Sequence, residues 1–289
     1  MKDVLYEEEG VASAVGTIFA ILIFVSLLSI FVSTYVPATM MADEEQYSSQ
    51  MMNSMVQVAS TISQLSLNYR QGETALVPFD LESGYVPIFS SPTYGYINIS
   101  SDTAAQEGYL TLGVYNGAIS STNLVGSNIT VGGAIMAFTD NRYFTDEAWT
   151  YEFSSLYYFN PFIKDQRNSS LISNLIQIGP GSGSLENVSI FLVNIIGGPN
   201  TISTSSPVAL SIGILSKQTI IKDGTNITLS FSSYILKNPI EDAFNQTGIT
   251  SFSSLKFNQD TLSINLGPAG AEIYITEVTI IIGMSSYSS

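Results

Sequence analysis

One stretch limits what this chain can become. Between Glu9 and Asp43 there is no Asp, Glu, Lys or Arg. At its heart runs Val11-Ala-Ser-Ala-Val-Gly-Thr-Ile-Phe-Ala-Ile-Leu-Ile-Phe-Val-Ser-Leu-Leu-Ser-Ile-Phe-Val-Ser-Thr-Tyr-Val36. A helix crosses a bilayer core about 30 Å thick with roughly 20 apolar residues. At a rise of ~1.5 Å per residue this run reaches about 39 Å, enough to cross with some tilt. A buried core helix of this length would show a polar face, and none is present. A secretory signal peptide would have a basic start, a shorter apolar run and a small-x-small cleavage site. Here Lys2 stands against Asp3, Glu7, Glu8 and Glu9. A retained transmembrane helix over 11–36 is therefore expected, with Pro37 marking a bend or break. After Lys2 the next basic residue is Arg70. The positive-inside rule then places the N-terminus in the cytoplasm and the C-terminal domain outside the cell.

Composition narrows the function classes. The net charge of −15 argues against nucleic acid, whose binding needs Lys and Arg patches. The chain has no Cys and no His. That removes disulfides, Ser-His-Asp and Cys-His nucleophilic sites, and the usual zinc sites. Two carboxylates alone can perform acid–base work, but no pair of acids stands out. No catalytic, cofactor-binding or metal-ligating residue is expected. The few charges and many hydroxyl groups would suit an acidic or hot outside medium.

Residues 38–69 read as a second, amphipathic helix outside the lipid. Asp43, Glu44 and Glu45 suit a first turn, where the helix dipole favours anions. Met51, Met55, Val58, Ile62, Leu65 and Tyr69 form a heptad-like stripe, widened by Met52, Val56 and Ala59. The stripe packs either on the protein's own β-domain or against neighbouring subunits. From Gly72 onward, turn signals and short β-type runs alternate: 74–78, 94–99, 109–115, 134–138, 188–196, 208–215, 225–231, 261–265 and 272–282. Residues 239–244 suggest a short helix, and 285–289 a frayed tail. The fold class is α+β: a long N-terminal transmembrane helix continued by an extracellular helix, then an all-β, sandwich-like ectodomain. In domain terms, 1–10 is a leader, 11–36 the transmembrane helix, 38–69 the extracellular helix and 70–289 the ectodomain. A sub-division of the ectodomain is expected near the Gly- and Ser-rich stretch 179–184.

Trp149, Tyr151 and Phe153 alternate with Ala148, Thr150 and Glu152, which puts the aromatics on one strand face. Core packing is the plain reading, and a carbohydrate- or surface-binding platform the functional one. Asp140, Asp146, Glu147 and Glu152 offer oxygen ligands, but no spaced calcium loop accompanies them. Asn-x-Ser/Thr acceptors occur at Asn98, Asn128, Asn168, Asn187, Asn226 and Asn245, a number the composition nearly explains by chance. On an exported chain an exposed acceptor can carry a glycan, so these six are candidate glycosylation sites.

Gly10 is followed directly by Val11-Ala12-Ser13-Ala14-Val15-Gly16. This layout resembles the class III signal sequence of archaeal type IV pilin-like proteins, in which a short cytoplasmic leader ends in a small residue and the mature apolar helix starts at once. The stretches 77–81, 86–95, Gly132-Gly133 and 141–152 similarly resemble the junction after the anchor helix in archaeal membrane-anchored surface proteins. The resemblance implies that a prepilin-type peptidase cuts between Gly10 and Val11. It also implies that the freed helix packs into a filament core. Such leaders usually carry Lys or Arg before the small residue, where this chain has Glu8-Glu9. An uncleaved anchor is the alternative, since Ala12, Ala14 and Gly16 would let membrane helices approach closely in any oligomer.

Two functions follow as expectations. The first is a non-enzymatic pilin-like subunit or minor pilin, self-associating through its N-terminal helix. The second is a monomeric membrane-anchored ectodomain that binds glycans, the surface layer or another membrane protein. The expected partners are the lipid bilayer, other subunits or surface proteins and, if the leader is removed, the prepilin-type peptidase. No nucleic acid and no cofactor are expected.

Overall fold

The computed structural model describes residues 2–68, 70, 72–101, 109–159, 169–179, 186–198, 201–204, 207–231, 254–258 and 261–286. At 2–13, 159, 169–173, 178–179, 186, 254–258 and 286 it describes the backbone alone. The expected short helix at 239–244, and Tyr69 of the stripe, lie outside the described residues.

The helix comes first and is one rod. Helix α1 (Lys2–Ile30), a π-helical turn at Phe31–Tyr35 and helix α2 (Val36–Leu67) follow without interruption. The bend or break expected at Pro37 is this π turn. Proline offers no N–H, and its ring crowds the carbonyl one turn back, that of Ser33. The strain is relieved just upstream, where the Val36 N–H bonds to the Phe31 carbonyl, five residues behind. No new helix starts at 38, so the expected first-turn role of Asp43, Glu44 and Glu45 is corrected: all three lie inside a helix whose first turn holds no acid. In α2 the buried positions Val36, Met40, Glu44, Tyr47, Met51, Met55, Val58, Ile62 and Leu65 recur every three or four residues.

Two compact units divide the chain. One holds residues 1–47, 83–93 and 141–145; the other holds 48–82, 94–140 and 146–289. The second unit carries the β-structure. Its strands in chain order are β1 (Thr74–Phe79), β2 (Tyr96–Ser100), β3 (Tyr109–Tyr115), β4 (Ile129–Gly132), β5 (Ala134–Phe138), β6 (Ala148–Glu152), β7 (Ser155–Phe159) and β8 (Ser169–Ser173). There follow β9 (Ile176–Gly179), β10 (Glu186–Ile195), β11 (Thr201–Ile202), β12 (Val208–Gly224), β13 (Asn226–Phe231), β14 (Ser254–Asn258), β15 (Thr261–Asn265) and β16 (Ala271–Ser286). They form three sheets, ordered β1-β12-β16-β10-β9, β11-β2-β5-β6-β7-β8 and β14-β15-β13-β3-β4. All pairs are antiparallel except β10 with β16. Strands β9 and β10, on either side of the 180–185 stretch, pair with each other. The expected frayed tail is corrected in part, because β16 runs on to Ser286 opposite Val208.

The first sheet is covered on both faces, and the sequence of its long strands shows how. In β16, Ala271, Ile273 and Ile275 are buried, then the phase changes to Val278, Ile280 and Ile282. In β10, Val188, Ile190 and Leu192 give way to Val193 and Ile195 in the same manner. Since alternate residues face opposite sides of a strand, the buried side switches halfway along. The early set joins one core with Leu112 and Val114 of β3, Ile227 and Leu229 of β13, and Leu262 and Ile264 of β15. The late set shares its face with Ser189, Phe191 and Thr276, which border the C-terminal end of α2. The stripe on α2 from Met51 to Leu65 is thus buried within its own chain.

Gly133 makes the corner between two sheets. It alone separates β4 from β5, with φ at +88°. A Cβ there would stand 2.6 Å from the Ile195 carbonyl oxygen and 2.9 Å from that of Ser100. Only glycine combines that conformation with that approach.

Candidate functional site: the exposed apolar helix and the loops tied to it

The stretch that dominated the sequence dominates the surface as well. From Val15 to Ile30 the apolar side chains stand free: Val15 is 60% exposed, Phe19 and Phe24 65%, and Ile30 60%. Consecutive residues Ile21, Leu22, Ile23, Phe24 and Val25 are all exposed, so the apolar surface runs round the whole helix. Each such side chain left in water forgoes about 1.5–3 kcal/mol, so the rod requires an apolar surrounding. Several of its hydroxyls do not need water. Ser26 bonds to the Leu22 carbonyl at 2.8 Å and Thr34 to the Ile30 carbonyl at 2.6 Å, which satisfies them within the helix. The helix is long and apolar enough to cross a membrane or to act as a signal sequence.

Past the π turn, the same unit fastens two loops to the helix. The Glu44 side chain is wholly buried. Its carboxylate accepts the backbone N–H groups of Arg142 at 3.0 Å, Tyr143 at 2.7 Å and Phe144 at 2.8 Å. Three successive N–H groups aimed at one anion form a nest, and the charge strengthens each bond. The loop 83–93 is closed at its neck, where Ser83 N–H donates to the Thr93 carbonyl at 2.9 Å and Thr93 N–H to Ser83 Oγ at 3.0 Å. Near its tip, Ser90 Oγ accepts from the Val86 N–H at 2.8 Å and donates to Met40 Sδ at 2.9 Å. The Phe89 ring meets the edge of Phe31 with centroids 5.3 Å apart, and Phe31 stacks on Tyr35 at 4.8 Å. A Cβ on Gly84 would lie 2.8 Å from the Asp43 carboxylate, so the loop passes close to the helix there.

The second unit holds a cleft of about 320 Å³ at the C-terminal end of α2, where Leu67, Ile190 and Phe191 add apolar surface to a hydroxyl- and amide-bearing wall. Ser63, Ser66, Asn174, Gln177, Ser189, Lys217 and Thr276 contribute to its walls. Lys217 Nζ donates to the Ser66 carbonyl at 2.7 Å, placing a cation where the helix dipole is negative. Asn174 donates to Ser63 Oγ at 3.3 Å.

The sequence-predicted positions fall as follows. Gly10 and Val11 lie inside α1. Asn128 is exposed in the turn before β4, while Asn98 in β2 and Asn187 in β10 are half-buried. Asn226 Nδ2 is engaged, donating to the Gly117 carbonyl at 2.6 Å. Asn168 and Asn245 lie outside the described residues. Asp140, Asp146, Glu147 and Glu152 do not converge, and among the described residues no three acids gather about a metal-sized site. The aromatic platform is corrected. All five residues of β6 are buried, and Phe153 sits with Ser154 in the two-residue turn between β6 and β7, both at positive φ. Trp149 and Tyr151 are core residues, and Phe153 joins the core as well. Glu147 instead accepts the Tyr158 hydroxyl at 3.0 Å, and its pKa is raised by partial burial. No role for Glu44 as a tie, for Lys217 as a helix cap, or for the tip of the 83–93 loop was read from the residue pattern. Only Glu44 left a signal, a charge in phase with Met40, Tyr47 and Met51 on an otherwise apolar stripe.

A long apolar N-terminal helix followed by a β-rich domain is a pilin-like architecture. Set against models of known protein families, curated proteins and solved structures, the chain matches none.

Proposed function

We propose that the chain is a pilin-like subunit or minor pilin, non-enzymatic, held in the cell membrane by its N-terminal helix with the β-rich domain outside. One observation carries the reading: an apolar helix exposed on every side runs unbroken into a rod whose far end is built into a β-domain. Such a surface is stable in lipid, and equally stable among copies of itself. The mechanism follows from that equivalence, since helices leaving the bilayer for a filament core exchange one apolar surrounding for another. Between helices the gain comes from close packing, which small residues such as Gly16 favour.

The test is the intact mass and N-terminal sequence of the protein from native membranes, with sheared extracellular material probed in parallel. A start at Val11 and presence in the sheared fraction are the expected results. A start at Met1 or Lys2, with the protein only in detergent extracts, would replace this reading. The replacement would be the monomeric anchored ectodomain, for which the cleft beside Lys217, with both polar and apolar walls, is a place for glycans or another surface component.

A further inference from the structure

We infer that the loop tip Tyr85–Phe89 is an interfacial anchor that enters the outer headgroup–acyl boundary of the bilayer crossed by the N-terminal helix. The inference rests on the reading of that helix as a membrane span. Tyr85, Pro87, Ile88 and Phe89 are all exposed, and Ile88 is 99% so. Ile88 also has φ at +72°. A β-branched residue in the left-handed region is a strained outlier, which persists only where its surroundings hold it. Here they do. Phe89 N–H and Ser90 N–H both bond to the Val86 carbonyl, at 3.1 and 2.9 Å, while Ser83 and Thr93 lock the neck. The fold therefore holds one large apolar side chain fully outward on a braced turn.

Its level along the helix identifies what it meets. Phe89 packs on Phe31, and Phe31 stands ~30 Å beyond Val11 at ~1.5 Å per residue. That is about the thickness of a hydrocarbon core, so the tip lies at the outer boundary when the span begins near Val11. No residue from Ser83 to Thr93 is charged, so nothing resists removal from water. Exposed Tyr35 and Tyr85 suit the same depth, where amphipathic rings collect.

The chain has no cysteine, so single labels are unambiguous. Full-length Ile88→Cys would carry a nitroxide in vesicles of phosphatidylcholine and phosphatidylglycerol. Leu22→Cys and Gln46→Cys, both exposed on the same helix, serve as lipid and water references. The expected result is a ratio of oxygen to nickel-chelate collisions at 88 well above that at 46 and approaching that at 22. A ratio at 88 equal to that at 46, with 22 still in lipid, would overturn the anchor and leave the span intact. An aqueous label at 22 would remove the span and the anchor together. A label at 88 shielded from both reagents, with spectra broadened by neighbouring labels as protein density rises, would assign the tip to a second copy of the chain and overturn the lipid contact.

Discussion

A buried carboxylate is stable only where its oxygens are met, and Glu44 is met by three backbone N–H groups. Glu44→Ala would leave those donors facing a void. We expect a loss of stability on the order of 3 kcal/mol, read as a lowered melting midpoint. Amide exchange at Arg142, Tyr143 and Phe144 should quicken in the same variant, and Glu44→Gln should fall between it and the native chain. Glu152 is the opposite case. It lies buried at the end of β6, and desolvation pushes its pKa up to about 8 from 4.5. Tyr157 beside it, and Tyr151, are shifted upward by burial as well and stay neutral. Below pH 4.5 folded and unfolded chains both carry the Glu152 proton, and the group costs nothing. Between there and about pH 8 only the folded chain keeps it, so stability falls by about 1.4 kcal/mol per pH unit, then levels off. Urea titrations of Glu152→Gln across that window should lack this slope, and the variant should gain most over the native chain at the alkaline end. A variant with the native slope would show that the carboxyl is not held neutral.

At the scale of elements, what the sequence made legible was whatever periodicity encodes. The apolar run, the stripe from Met51 to Leu65 and the strand cores at 109–115, 134–138 and 261–265 all stand where their spacing put them. The failures have physical reasons. Pro37 reads as a helix boundary, but a single bond from Val36 to Phe31 suffices to carry the helix past it. Alternation of aromatics predicted one face of one strand, yet Phe153 turns the hairpin, a decision made by backbone torsion that side-chain pattern does not report. The candidate site was half legible. The exposed helix follows from composition alone. The partners of Glu44 lie 98 to 100 residues further along, and no local pattern joins them. Nor does the sequence of 85–89 disclose that its isoleucine is held in the left-handed region.

The molecule as a whole carries few charges, 9 basic and 24 acidic residues in 289. Its architecture also imposes an order of events. Strand β16 occupies the middle of the first sheet, between β12 and β10, and furnishes residues to the cores on both of its faces. A chain ended after Gly270 would leave those two strands without their common neighbour. We expect such a chain to be digested through the β-domain by a protease that the full chain resists; survival of a compact fragment would refute this. The apolar helix, by contrast, precedes every one of these strands in the chain, and its backbone hydrogen bonds close within itself. If that helix is the membrane anchor proposed above, synthesis moors the polypeptide before the β-domain can close, and the last long strand acts as a keystone. An exported β-domain would then stand open to surface proteases until residues 271–286 had followed it. On that reading, the position of one strand would make complete passage across the membrane a condition of survival.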